Sequence, residues 1–248
     1  MKYRICVSIP FKFQSFMDSK LVIDNAIKSD PNLIELRFDY ISNAKIINPD
    51  FLKELLTYIS PHHDVIFTFR DLSHGGQIEI EPEEHFKITK MFIDTKPDYI
   101  DVEMNTREDM LEKIIYLASE KSIKLIISYH SIVKTLTYNE AINLINDFQK
   151  KFLSKFSIKP EIFNDFIYKI VFPAQTFEDN LIALKLCKNL SNSNQKIISF
   201  CSGIQGIISR ILCIEAGSFM TYCSLEEETA PGQINIYRMR DFYNLIPK

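Results

Sequence analysis

Short runs of branched apolar residues alternate along this chain with longer stretches whose apolar positions recur every three or four residues. The short runs predict strands at about residues 3–9, 33–39, 64–70, 99–104, 124–130, 166–172, 196–202 and 219–224. The longer stretches predict helices at 18–28, 49–59, 82–94, 107–120, 139–155, 176–190, 204–216 and about 235–245. Asn105 or Thr106 is placed to cap the fourth helix, and Thr137, three residues before Glu140, the fifth. Strict alternation means parallel strands joined by helical crossovers. Eight units at a pitch of about 30 residues predict an α/β fold of the closed (β/α)8 TIM-barrel type, one domain over residues 1–248. The alternative is an open doubly wound sheet. Its nucleotide-binding version needs a glycine-rich turn after the first strand, and Ser8-Ile9-Pro10-Phe11-Lys12-Phe13 contains no glycine. The segment 152–165 lengthens one unit and reads as an insertion made of an elongated helix and a surface loop.

Composition narrows the function classes. A net charge of -3 argues against nucleic acid as the main partner. No apolar run approaches the ~18 residues of a membrane span. Five cysteines, with no CxxC pair and no leader-like N-terminus, fit free thiols in a reducing cytoplasm. No His-x-His or HExxH spacing suggests a metal. Glycine is scarce: there are six, five of them in three segments around 75, 203–206 and 232. A chain that avoids glycine keeps it where the backbone needs φ > 0 or a close approach.

Polar residues crowd the C-terminal ends of the predicted strands, where barrel enzymes carry their chemistry. The ends read Glu35-Leu-Arg37-Phe-Asp39, Thr68-Phe-Arg70, Asp101-Val-Glu103 and Ser128-Tyr-His130. The i, i+2 spacing puts both members of each pair on one face. Facing the helices they would be buried charges without water, so they are expected to converge on the barrel mouth. Lys169 stands among large apolar residues in the sixth strand. Burial and nearby cations such as Arg37, Arg70 and Arg210 would favour its neutral, nucleophilic form. His130 is a natural acid–base group; His62, His63 and His85 read as surface residues. Ser202-Gly-Ile-Gln-Gly206-Ile-Ile-Ser209-Arg210 opens a helix after strand seven. Its freed N–H groups and Arg210 suit an anion. Thr229-Ala-Pro-Gly-Gln233 follows strand eight as a lid-like turn whose Thr229 and Gln233 could reach a polyol.

These motifs, with Gly75-Gly76, Gly206-x-x-Ser209-Arg210 and Ala230-Pro-Gly-Gln233, stand in the order found in type I 3-dehydroquinate dehydratases, and the chain resembles that family from strand two to the last loop. The resemblance implies a cofactor-free shikimate-pathway lyase, often dimeric, acting on an anionic polyol ketone. It implies Lys169 as the imine-forming lysine and His130 as the acid–base. Glu35, Arg37 and Arg70 would hold ring hydroxyls and order the site, while Arg210, Thr229 and Gln233 would bind the carboxylate and a nearby hydroxyl. The chain departs from the family at His74, where many relatives carry a glutamate that orients the histidine; Asp71, Glu103 or His74 itself could take over that role. Two other classes stay open: a different Schiff-base barrel such as a class I aldolase, and a non-catalytic barrel that binds a carboxylate metabolite.

Overall fold

The alternation of strand and helix patterns is realised as a closed parallel barrel. The computed structural model describes residues 3–155 and 160–246. The strands are β1 (Ile5–Pro10), β2 (Leu33–Arg37), β3 (Asp64–Thr68), β4 (Tyr99–Glu103), β5 (Lys124–His130), β6 (Ile167–Pro173), β7 (Lys196–Ser202) and β8 (Thr221–Ser224). The helices between and after them are α1 (Phe16–Lys28), α2 (Pro49–Ile59), α3 (Pro82–Thr95), α4 (Glu108–Glu120), α5 (Tyr138–Lys155), α6 (Asp179–Asn192), α7 (Ile207–Leu212) and α8 (Ile236–Leu245). Each strand from β1 to β6 pairs in parallel with the next, and β1 pairs with β8. The ring closes where the Phe219 N–H donates to the Ile197 carbonyl oxygen at 2.7 Å.

Several ends differ from the sequence reading for local reasons. No side-chain cap from Asn105 or Thr106 starts α4; Arg107 holds the cap position instead. Thr137 and Glu140 do form a reciprocal capping box ahead of α5, with the Thr137 N–H donating to Glu140 Oε2 at 2.8 Å. Only residues 207–212 of the predicted seventh helix are α-helical, after a 3₁₀ turn over Ile204–Gly206. A two-residue strand, β9 (Ile234–Asn235), pairs with β8 where the loop was expected to lead directly into the last helix. Within 152–165, residues 156–159 lie outside the described residues. The surface-loop reading fails for Phe163, which is buried and packs edge-on against Phe166, ring centroids 5.6 Å apart.

Alternation along each strand sorts side chains into two sets. One set, including Ile34, Leu36, Val65, Phe67, Ile100, Val102, Leu125, Ile127, Tyr168 and Ile170, packs outward under the helices. The other points into the barrel. Its lowest layer is apolar: Cys6, Leu33, Ile66, Tyr99, Ile126, Ile167 and Ile198 from β1 to β7, with Met220 just ahead of β8, plug the barrel. Two residues further along, the layer turns polar: Ser8, Glu35, Thr68, Asp101, Ser128 and Lys169, with Phe200 and Tyr222 closing the ring. Another step brings Arg37, Arg70, Glu103, His130 and Val171 to the mouth. The polar pairs seen in the sequence are thus the second and third storeys above an oily floor.

Candidate active site

Asp101 is the hub of the polar layer. Its Oδ2 lies 2.9 Å from Lys169 Nζ and 2.7 Å from an Arg70 terminal nitrogen, while Ser128 Oγ donates to Oδ1 at 2.6 Å. Burial alone would raise this carboxyl, but the Arg70 guanidinium and the Lys169 amine outweigh it and hold it well below the usual carboxylate range. Lys169 Nζ also lies 3.9 Å from Glu35 Oε1 and 4.1 Å from the centroid of the Tyr222 ring. The amine is therefore paired rather than bare: carboxylates hold it, and Arg70 meets it through the shared Asp101. Glu35 in turn accepts from Thr68 Oγ1 at 2.9 Å and from Ser8 Oγ.

Such a network is costly to interrupt. Removing one partner of a buried ion pair typically costs about 3–5 kcal/mol, because the remaining charge is left uncompensated. Asp101→Ala is expected to lower stability by about that amount, seen as a lower denaturant midpoint at unchanged m-value. A midpoint equal to that of the parent would contradict this account of the hub.

The storey above divides into arginines tied to protein and a histidine that is not. Arg37 forks onto Asp39, with Nε at 2.7 Å and a terminal nitrogen at 2.8 Å. Arg70 reaches Glu103 Oε1 and Ser128 Oγ, each at 2.7 Å. Both line the cavity, but their strongest donors are already engaged, so they order the site more than they wait for ligand. His130 has a buried Nδ1 with no partner among the described residues. Burial, then the positive charges of Arg70 and Lys169, push its pKa well below the ordinary histidine value, so the ring is neutral at neutral pH. His85, expected at the surface, is instead half-buried, with a ring nitrogen 2.8 Å from the Phe69 carbonyl oxygen.

The far wall comes from the loops after β7 and β8. Arg210 is 1% exposed and stands 4.5 Å over the Phe200 ring. One terminal nitrogen donates to the Pro231 carbonyl at 3.2 Å, its buried Nε has no partner, and no salt bridge joins it to a carboxylate among the described residues. Burial pushes its pKa down to about 10, which still leaves it charged at neutral pH. Three of the backbone N–H groups in the loop and helix start after β7 are bonded within the protein rather than left free for an anion. The Gly203 N–H donates to Pro231 O, the Gly206 N–H to Gly203 O, and the Ser209 N–H to Asn180 Oδ1. The glycines instead let two loops touch: a Cβ on Gly232 would stand 2.3 Å from the Gly203 oxygen. Gln233 Oε1 accepts the Thr229 N–H at 2.7 Å, and Thr229 Oγ1 lies 2.9 Å from Ser8 Oγ, which ties the lid turn to β1.

All eight residues singled out in the sequence, Lys169, His130, Glu35, Arg37, Arg70, Arg210, Thr229 and Gln233, line one cavity of about 310 Å³ at the C-terminal ends of the strands. That is a ligand-sized pocket. Asp101, the hub, was visible in the Asp101-Val-Glu103 pair but had no assigned role; its place opposite Lys169 depends on register across two strands. Ser8 and Tyr222 carried no signal beyond strand alternation, and Phe200 and Ile132 add apolar wall.

Fold and cavity define an enzyme of the (β/α)8 class, with a buried amine, a neutral imidazole and a guanidinium that has no salt bridge among the described residues facing one small-molecule site. Within that class the chain belongs to the type I 3-dehydroquinase family, whose model matches residues 5–248. It is 28% identical over 223 residues to a 3-dehydroquinate dehydratase of Thermococcus onnurineus, covering 90% of this chain and 91% of that protein. It is 25% identical over 248 residues to one of Listeria monocytogenes, covering 99% and 93%. The crystal structure of 3-dehydroquinate dehydratase from Geobacillus kaustophilus superposes with a TM-score of 0.82 at 20% identity, covering 98% of this chain and 90% of that one. No helix among the described residues is long and apolar enough to cross a membrane.

Proposed function

We propose that this enzyme dehydrates 3-dehydroquinate to 3-dehydroshikimate through an imine on Lys169. The observation that carries the reading is the juxtaposition in one cavity of a buried lysine, a neutral histidine and an arginine with no carboxylate partner among the described residues. The Lys169 nitrogen attacks the ketone, and the two protons it gives up leave with the former carbonyl oxygen as water, which gives the protonated imine. That cation acidifies the adjacent C–H, and neutral His130 takes the proton. The resulting enamine expels the β-hydroxyl, and the His130 imidazolium returns its proton to the leaving oxygen as water departs. Hydrolysis then frees the enone product and the amine. Asp101 and Glu35, both within 4 Å of Nζ, suit the positive charge on the nitrogen throughout. Arg210 pairs with the substrate carboxylate in a dry setting, where a bidentate bond is strong, and Thr229 and Gln233 flank it. The same residues fit an aldolase less well, since the anion partner is one guanidinium and the N–H groups of Gly203, Gly206 and Ser209, which could help cradle a phosphate, are already bonded. The reading also takes the chain as a cytoplasmic homodimer, in keeping with the family.

The test is to add 3-dehydroquinate and follow the absorbance of the conjugated enone. A steady rise is expected, and no rise at micromolar enzyme would overturn the proposal. Arg210→Ala is expected to raise KM by on the order of 30-fold or more, the loss of a buried charge-assisted pair worth about 2–5 kcal/mol. An unchanged KM would remove Arg210 from carboxylate recognition.

A further inference from the structure

The base at the end of β5 has an unusual support. β4 pairs with β5 only as far as Glu103 opposite Ser128. On the other side, the Ser131 N–H donates to Val171 O of β6. The His130 N–H therefore points to the side where β4 has already ended, with no strand carbonyl to receive it. A buried N–H without a partner is rare and costly. His74 supplies the acceptor: its Nδ1 lies 3.2 Å from the His130 backbone nitrogen. The His74 ring also stands nearly perpendicular to Tyr129 and to His130, at centroid distances of 5.4 and 6.2 Å.

The loop that carries His74 is itself fixed. Residues Leu72–His74 form a 3₁₀ turn ending in Gly75 at φ 86. The Gly76 N–H donates to Asp71 O at 2.9 Å, and the Asp71 N–H to Glu103 Oε1 at 3.2 Å. Any side chain at Gly76 would collide with the Arg70 carbonyl, since a Cβ there would lie 2.1 Å from its oxygen. His74 is 6% exposed at the end of this turn. Neither of the other two candidates bonds to His130 among the described residues, although Glu103 Oε2 is buried with no partner. Asp71 accepts from the Ser73 N–H at 2.8 Å, and Glu103 Oε1 holds Arg70.

We propose that His74 is a positioning residue for His130, using Nδ1 as the acceptor that replaces the missing strand carbonyl and so fixes the base in the cavity beside Lys169. Nδ1 can accept only when it carries no proton, which commits the neutral ring to its Nε2–H form. The inference rests on the reading of His130 as the proton-transfer group.

Three variants test it. In His74→Asn the side-chain oxygen falls near the position of Nδ1, whereas in His74→Gln it falls near that of Nε2. The expected result is kcat within about threefold of the parent for Asn, and a fall of roughly 10–100-fold for Gln and Ala, typical for loss of an orienting partner. KM and the yield of borohydride-trapped imine should be unchanged in all three. Equal kcat for Asn, Gln and Ala overturns the proposal, whether all match the parent or all fall together with a shared loss of thermal midpoint. Rescue by Gln alone also overturns it, because Nε2 would then be the working atom. A His130→Ala enzyme with parental turnover would instead sink the reading of His130 on which the inference stands.

Discussion

Lys169→Met is expected to lower kcat by on the order of 10⁴-fold or more, the scale of losing a covalent nucleophile. Met has the reach of the lysine stem and can lie on the Tyr222 ring, so the cavity wall is retained. Asp101 keeps its contacts with Arg70 and Ser128, so the polar layer holds a paired carboxylate and the variant folds. The loss must then be chemical. Without the amine there is no imine to act as electron sink, and the C–H beside a plain ketone is far less acidic. The check is turnover by enone absorbance beside a thermal melt of the same preparation. Turnover within tenfold of the parent, in a folded protein, would mean that the ketone is activated by another group.

His130→Ala is expected to cost on the order of 10²–10⁴-fold in kcat, the range for a positioned general acid–base, while imine formation stays measurable. The two steps separate because the amine and the imidazole act on different atoms of the substrate. The parent's pH profile carries a further sign. The depressed pKa of His130 means the ring stays unprotonated well below pH 6.5 in the free enzyme. It can accept a proton throughout that interval. The acid limb of kcat/KM assigned to this base therefore lies below pH 6.5, not at the ordinary histidine value. An acid limb above pH 6.5 that vanished in the alanine variant would show a base stabilised as the cation, contrary to the cationic surroundings described.

Much of this was legible from letters alone, because a barrel repeats one rule eight times. Alternation along β2 to β5 put Glu35 with Arg37, Thr68 with Arg70, Asp101 with Glu103 and Ser128 with His130 on single faces, and the need to avoid unpaired buried charge aimed those faces inward. What alternation does not give is height. Lys169 meets Asp101 because Ser128 pairs with Lys169 while Asp101 pairs with Ile126, two residues earlier, and the tilt of the strands about the barrel axis makes up that offset. Cross-strand register of that kind has no local signature, so the cationic surroundings inferred for Lys169 gave way to a carboxylate hub. The glycines around 203–206 and 232 misled in another way. Their clustering marked the right loops, but two loops touching and a loop holding an anion use the same residue type, and only the bonded N–H groups tell them apart. Arg210 was recognisable as a candidate anion partner; that its guanidinium has no salt bridge among the described residues and stands against Phe200 was not.

Borohydride reduction of the enzyme with 3-dehydroquinate or its product, followed by intact-mass and peptide mass measurement, bears on the central claim most directly. The mechanism predicts a single ligand-sized adduct on the peptide that contains residue 169. An adduct on another lysine, or none under conditions where turnover proceeds, would contradict it.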